Sequence, residues 1–319
     1  MNIKIVSFVL LVFLATACKK DEETGTFQVT QEAYTLPGAQ FFPEGIAYNP
    51  KTGNFYTGST TNGDILQVNV QTGATALFAA GALQGRSFCT GMKLDAKNRL
   101  WVCGGPENKI YLLNADGIII RTWDTKALFN SGFINDCIIA GNFIYFTDSR
   151  VQKIYRADVT VDQPGNPEEW LTFTDAQIPY AATGTNANGI ESTPDGKNLI
   201  VVISSSGKLY KISTAGKAIS EIALNTAVTS GDGLLLNGNT LYVSRNATGQ
   251  VFPVVLNSEA SQGTVGTGFG SNLLFNTTMA KVGPYLLVVN GQLNRRPNPA
   301  NPTNPPPVLP FTVSRVAIP

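Results

Sequence analysis

The sequence predicts an all-β protein, a six-bladed β-propeller with four-stranded blades. Three observations carry that expectation: a motif repeated at blade period, short apolar runs separated by turn residues, and an N-terminal segment able to close a ring. The motif is a polar residue, usually followed by a small one, that leads into an apolar run. It occurs as Pro43-Glu44-Gly45-Ile46-Ala47, Cys89-Thr90-Gly91-Met92, Ile134-Asn135-Asp136-Cys137-Ile138, Ala187-Asn188-Gly189-Ile190, Gly231-Asp232-Gly233-Leu234 and Thr277-Thr278-Met279-Ala280. From Glu44 through Thr90, Asn135, Asn188 and Asp232 to Thr278, the steps are 46, 45, 53, 44 and 46 residues. A period in the forties with strand-like content is the signature of propeller blades.

Each marker opens a strand, and each unit reads as a four-stranded meander. In the first unit the expected strands are 46–48, 54–58, 65–70 and 75–79, with Asn, Gly and Pro turn chemistry at 49–53, 61–64 and 71–73. The fourth unit repeats the pattern near 190–192, 198–203, 208–212 and 217–224. Runs such as Phe143-Ile144-Tyr145-Phe146 and Tyr285-Leu286-Leu287-Val288-Val289 are short and rich in β-branched or aromatic residues, as buried strands should be. No long amphipathic helix pattern is present. The last unit is short of a strand around the Pro-rich stretch 294–307, and residues 26–36 alternate like a strand. That segment is expected to form the outer strand of the last blade, which would protect the sheet edges. Strand direction places the loops 60–63, 105–109, 149–153, 204–207, 245–249 and the insert 292–307 on one face. The insert carries Arg295 and Arg296 and is either a lid or a solvated, Pro-stiffened loop.

Composition narrows the function. The 319 residues carry 23 basic and 22 acidic side chains, a formal charge of +1. No basic surplus exists to neutralise phosphates, so nucleic acid is not an expected partner. Histidine is absent, which removes Ser-His-Asp and Cys-His catalysis and the His-containing zinc and iron sites. Any general base must be a carboxylate, a Lys, a Tyr or a metal-bound water. Beyond the leader there are three cysteines, Cys89, Cys103 and Cys137, and an odd number cannot pair completely within one chain. Cys89 and Cys103 flank one predicted hairpin and could bridge; alternatively all three are small buried apolar residues.

Residues 1–17 read as a lipoprotein signal peptide, 18–25 as a lipidated cysteine with a charged tether, and 26–319 as the propeller. Lys4 lies in a short basic region, and the apolar stretch 6–17 is too short to span a bilayer as a helix. Leu14-Ala15-Thr16-Ala17-Cys18 resembles a bacterial lipobox, with Cys18 as the lipidated residue. The other reading is an ordinary signal peptide in which Cys18 is incidental. Lys19-Lys20-Asp21-Glu22-Glu23 looks like the tether of surface-exported lipoproteins. The expected location is the bacterial cell envelope, anchored to the outer membrane through lipid alone and facing either the periplasm or the cell surface, with a monomeric chain.

A propeller brings equivalent positions of every blade to one axis. Glu44, Asn135, Asn188 and Asp232 would then offer two carboxylates and two amide oxygens, a donor set that suits Ca2+. Two anionic ligands would neutralise a divalent cation without burying unpaired charge. The plainer alternative is that Asn, Asp, Glu and Gly simply start strands and cap turns.

The stretch Phe42-Pro43-Glu44-Gly45-Ile46-Ala47-Tyr48, with Asn135-Asp136, Ala187-Asn188-Gly189-Ile190 and Gly231-Asp232-Gly233, resembles the senescence-marker-protein/gluconolactonase/luciferin-regenerating-enzyme family, and also the related paraoxonases and strictosidine-synthase-like proteins. The resemblance spans nearly the whole mature chain and rests on motif order and spacing. It implies a six-bladed propeller with an axial calcium ion that hydrolyses lactones, phosphotriesters or similar esters. Glu44, Asn135, Asn188 and Asp232 each match a family metal ligand. Thr90 stands near the position of the paraoxonase catalytic histidine, and Gly233 where paraoxonases have Asn; both departures point away from paraoxonase-like chemistry.

The expected function is a calcium-dependent hydrolase of a lactone or small ester. The ion would act as a Lewis acid, Asp232 as base or nucleophile, and Thr90 and Thr278 as pocket walls. The alternative from another class is a non-catalytic envelope propeller that binds or scaffolds, because fold does not imply activity. A strictosidine-synthase-like condensing enzyme is a third reading.

Overall fold

The computed structural model describes residues 27–297 and 302–319. The leader, Cys18 and the charged tether lie outside the described residues.

Short turns pair each strand with its neighbour in sequence, because no other partner is within reach of so short a connection. In the turn after residue 48, for example, the Lys51 amide donates to Asn49 Oδ1 at 3.0 Å, and Gly53 adopts φ +69°, a left-handed conformation that glycine takes without strain. After β1 (Ala33–Leu36) come β2 (Pro43–Asn49), β3 (Asn54–Ser59), β4 (Ile65–Asn69) and β5 (Thr75–Ala79). The second meander is β6 (Met92–Leu94), β7 (Leu100–Cys103), β8 (Lys109–Leu113) and β9 (Ile119–Asp124). The third is β10 (Ile134–Ala140), β11 (Phe143–Asp148), β12 (Lys153–Asp158) and β13 (Glu168–Thr172). The fourth is β14 (Ala187–Ser192), β15 (Asn198–Ile203), β16 (Lys208–Ser213) and β17 (Ile219–Leu224), and the fifth is β18 (Gly231–Asn237), β19 (Thr240–Arg245), β20 (Gln250–Leu256) and β21 (Gln262–Val265). The last comprises β22 (Asn276–Val282), β23 (Tyr285–Asn290) and β24 (Phe311–Ala317). Among the described residues the only α-helix is α1 (Thr125–Phe129), whose N-terminus is capped by Asp124. No helix there is long and apolar enough to cross a membrane.

The fold is an all-β propeller. Four sheets have four strands each, but β14–β17 and β18–β21 form one eight-stranded sheet. Their outer strands pair in parallel, Ala223 opposite Gln262 and Leu224 opposite Gly263. The expectation of separate four-stranded sheets throughout is corrected at this point: a two-residue pairing at the rim is enough to join two meanders. At the axis the inner strands β2, β6, β10, β14, β18 and β22 contact one another in that order, and β22 returns to β2.

Apolar clusters fill each space between successive meanders. Each sheet is therefore covered on both faces, which explains why its middle strands read as continuous apolar runs. In the space between the second and third meanders, Trp101 stacks on Trp123 with ring centroids 5.5 Å apart.

β1 joins the last sheet beside β24, with Ala33 opposite Ser314 and Leu36 opposite Phe311. The strand is shorter than the alternation at 26–36 suggested. Thr30, just before it, turns to the first meander instead, its Oγ1 donating to the Gln71 carbonyl at 2.6 Å, and Tyr34 within β1 donates from Oη to the Val70 carbonyl at 2.5 Å. The three cysteines beyond the leader are unpaired and buried, so the Cys89–Cys103 bridge is not formed. Burial pushes the Cys89 thiol up to about 12.

Candidate metal-binding cavity

The motif has a local structural cause. In β2, β10, β14, β18 and β22 the pairing with the next strand shifts register between Pro43 and Ile46, Ile134 and Cys137, Ala187 and Ile190, Gly231 and Leu234, and Asn276 and Met279. Each shift is a bulge of two unpaired residues, and a bulge re-aims a side chain. Glu44, Asn135, Asn188 and Asp232 are the first residues of such pairs, and all four line one cavity of about 630 Å3. Where glycine follows, as Gly45, Gly189 and Gly233, close approach requires it. A Cβ on Gly45 would lie 2.1 Å from the Thr90 carbonyl oxygen, and one on Gly189 2.1 Å from that of Asp232.

The two amides are oriented by their neighbours. Ser149 Oγ donates to the Ala187 carbonyl at 2.6 Å, so it must accept from Asn135 Nδ2, 2.7 Å away. Ser204 Oγ likewise donates to the Gly231 carbonyl and accepts from Asn188 Nδ2 at 3.0 Å. With each hydroxyl proton committed, each amide must present nitrogen to serine and oxygen elsewhere. Asn135 Oδ1 and Glu44 Oε2 are buried with no hydrogen-bond partner. Asp232 Oδ2 accepts from Asn246 Nδ2 at 3.2 Å.

The electrostatics match. Burial, then the charges of Asp232 and Asp136, raise the Glu44 carboxyl well above its usual range. Asp232 is pushed up to about 8, by burial and then Asp136, against hydrogen bonds from Asn246 and Asn188. The cavity floor thus concentrates more negative charge than its own hydrogen bonds offset, the condition that a bound cation relieves. Among the described residues no three His, Cys, Asp or Glu side chains form a metal-binding group. The oxygen set is two carboxylates and two carboxamides, which fits calcium rather than zinc or iron.

Thr90 lines the cavity, but its hydroxyl donates toward the Ile134 and Cys103 carbonyls at 3.0 and 3.2 Å. Thr278 is not among the lining residues. Register makes Thr277 the equivalent of Glu44 and Asp232, while Thr278 matches Gly45 and Gly233 and packs on the latter. Thr277 is itself buried, and its hydroxyl donates to the Glu44 carbonyl at 2.8 Å.

Four of the loops expected on one face contribute lining residues: Thr60, Ser204 with Ser205, Asn246, and Leu293 with Arg296 from the insert. Half-buried Phe88, Phe133 and Phe275, from the loops that precede inner strands, complete the walls. The connection between β13 and β14 adds Ala181, Thr183, Gly184 and Thr185. It is the source of the one long step, 53 residues, in the repeat.

A further charged group was not singled out from the sequence. Lys93, Asp136 and Glu191 are also on inner strands, one or three residues after a marker. Burial opposes the Lys93 charge, but Asp136 and Glu191 outweigh it and raise its pKa. The Ile190 amide donates to Asp136 Oδ2 at 3.4 Å and the Leu236 amide to Glu191 Oε2 at 3.3 Å. Their distance from each marker is the signal that would have found them, since alternation resumes after the bulge.

No protein-family model and no curated protein matches this sequence. Solved structures do share the fold. Regucalcin from Agrobacterium tumefaciens, a calcium-binding protein, is 14% identical with a TM-score of 0.63, covering 90% of this chain and 95% of that one. A gluconolactonase from Xanthomonas campestris is 15% identical with a TM-score of 0.61, covering 90% and 89%. A virginiamycin B lyase from Staphylococcus aureus, solved with quinupristin as a catalytically inactive histidine-to-alanine variant, is 14% identical with a TM-score of 0.60, covering 90% and 98%. At these identities the likeness is one of fold: the chain shares its propeller architecture with regucalcin, gluconolactonase and virginiamycin B lyase structures.

Proposed function

We propose that this protein is a calcium-dependent hydrolase of a lactone or small ester, built as a six-bladed propeller and held at the cell envelope through a lipid on Cys18. The blade count follows from treating the eight-stranded sheet as two meanders around the closed ring of inner strands. The observation that carries the site reading is the pair of buried, unpartnered acceptors, Glu44 Oε2 and Asn135 Oδ1, opening on the same cavity as Asp232. Orphaned oxygens of this kind are costly unless a cation or donor meets them. Regucalcin and gluconolactonase neighbours support the reading at the level of fold.

Glu44, Asn135, Asn188 and Asp232 would hold calcium, which when bound supplies Lewis-acid polarisation of a carbonyl oxygen. With Glu44 the other carboxylate on the floor, Asp232 would take a proton from water as that water attacks the ester carbon. As the carbon–oxygen bond breaks, the same carboxyl returns the proton to the departing alkoxide. Asn246 holds Asp232 Oδ2 and leaves the other oxygen for this work. Histidine-based lyase chemistry is not open to a chain without histidine.

A second reading, a non-catalytic binding propeller, is favoured by the Thr90 hydroxyl, which is spent on backbone carbonyls and leaves Asp232 without an acid–base partner. A lactone and ester panel assayed with calcium and with chelator separates the two. Calcium-dependent turnover that Asp232→Asn abolishes, with weaker calcium binding by calorimetry, is expected for the hydrolase. Calcium binding without turnover of any substrate would leave the binding propeller, and no calcium binding would sink the metal site. For the anchor, Cys18→Ser should release the protein from membranes or leave it unprocessed; unchanged fractionation and mass would refute lipidation.

A further inference from the structure

The charged lining residues of the cavity are Glu44 and Asp232 on its floor and Arg296 from the insert. A divalent cation on the two carboxylates would bring the floor to neutrality, so Arg296 would then set the sign of the whole cavity as positive. Its guanidinium lies 4.8 Å from the centroid of the Phe88 ring, and Phe88 meets Phe133 edge-on at 6.4 Å. Among the described residues no carboxylate forms an ion pair with Arg296. Burial without a compensating anion lowers its pKa.

The arginine is positioned rather than loose. Gln292, fully buried, pairs with the Val308 backbone in both directions at 2.8 Å. The Arg296 carbonyl accepts from Asn304 Nδ2 at 2.8 Å, and Arg295 Nη1 donates to the Pro306 carbonyl at 2.8 Å. These bonds clamp the base of the insert from both sides, with a planar fork of donors beside the Phe88 ring, which in turn meets Phe133. A partly desolvated guanidinium in that setting is suited to a carboxylate, and the rings to an apolar body.

We propose that the cavity takes an organic anion with an apolar or aromatic body, its carboxylate received by Arg296 and its body by Phe88 and Phe133. The proposal rests on the reading of this cavity as the ligand site and names the class of ligand. Its test is binding, not turnover, so failure of the hydrolase reading and failure of this one are distinguishable. Calorimetric titration with 2-naphthoate and with 2-naphthalenemethanol, in calcium and in chelator, compares a carboxylate with a neutral molecule of the same shape. Wild-type protein in calcium should prefer naphthoate by about tenfold, the size of one charge-assisted contact. Arg296→Gln should remove that preference by weakening naphthoate alone, and Arg296→Lys should restore part of it. Equal affinity for the two probes, binding of neither, or a preference that survives in Arg296→Gln would overturn the proposal; the last would assign the carboxylate to the cavity floor.

Discussion

Ser149 and Ser204 decide which end of an amide faces the axis. Each spends its hydroxyl proton on a backbone carbonyl of the next inner strand, so each must accept from asparagine. Ser149→Ala removes the group that orients Asn135 while leaving every proposed ligand in place. Calcium affinity should fall about 10- to 100-fold, as when a ligand's supporting hydrogen bond is removed elsewhere, and calorimetry measures it directly. An unchanged affinity would mean that the amide is oriented by something other than its serine. At this scale the markers were legible because in three of the bulges a glycine follows the aimed residue, which leaves a visible dipeptide. Thr278 was misplaced for the same reason. Thr277-Thr278 offers no small residue to show which of two threonines is aimed, and only the pairing of Asn276 with Asn290 and of Met279 with Val288 settles it.

Between elements, the face opposite the cavity is held by a buried ion pair. Arg99 Nε meets Asp95 Oδ2 at 2.7 Å, and the rest of the guanidinium donates to the carbonyls of Val159, Val161 and Asp162 at 2.8–3.0 Å. One side chain of the second meander thereby closes off the chain that leaves β12 of the third. Asp95 Oδ2 also accepts from Trp101 Nε1 at 2.9 Å, which ties the pair to the stacked tryptophans. Removing one partner strands a buried charge, so Arg99→Ala should cost about 3–5 kcal/mol in urea unfolding. A loss below about 1 kcal/mol would place the pair among exposed ones of little worth. The strands and turns of these elements were readable from period-two runs and Asn-Gly chemistry. The bridge to the third meander was not, because the carbonyls that complete the Arg99 guanidinium lie 60 to 63 positions away in sequence, although Asp95 is only four residues off.

For the whole molecule, ring closure is the point of greatest leverage. Tyr34 and Leu36 are each 1% exposed, packed between the last and first meanders. Deleting the chain through Leu36 strips β24 of its outer partner, leaving it paired with β23 alone, and opens that cluster. Burial of each large side chain contributes about 1.5–3 kcal/mol, so the loss should lower the melting temperature of the entire propeller in one calorimetric transition. A truncated protein that melts at the wild-type temperature would show that β1 is dispensable, and two separate transitions would show that the meanders do not fold as one unit.

The sequence by itself determined the repeat, the strand-rich units, the pairing of the N-terminal segment with the last one, and the four polar residues that converge on the axis. Those features are written in local periodicity, turn chemistry and the spacing of one repeat from the next. Tertiary structure alone decided that the fourth and fifth meanders share a sheet, that Thr277 rather than Thr278 holds the equivalent bulge position, that serines turn two amide oxygens away from themselves, and that Arg296 stands beside Phe88 without a counter-ion. Each of these depends on strand register or on the approach of side chains in three dimensions, which residue pattern and spacing do not encode.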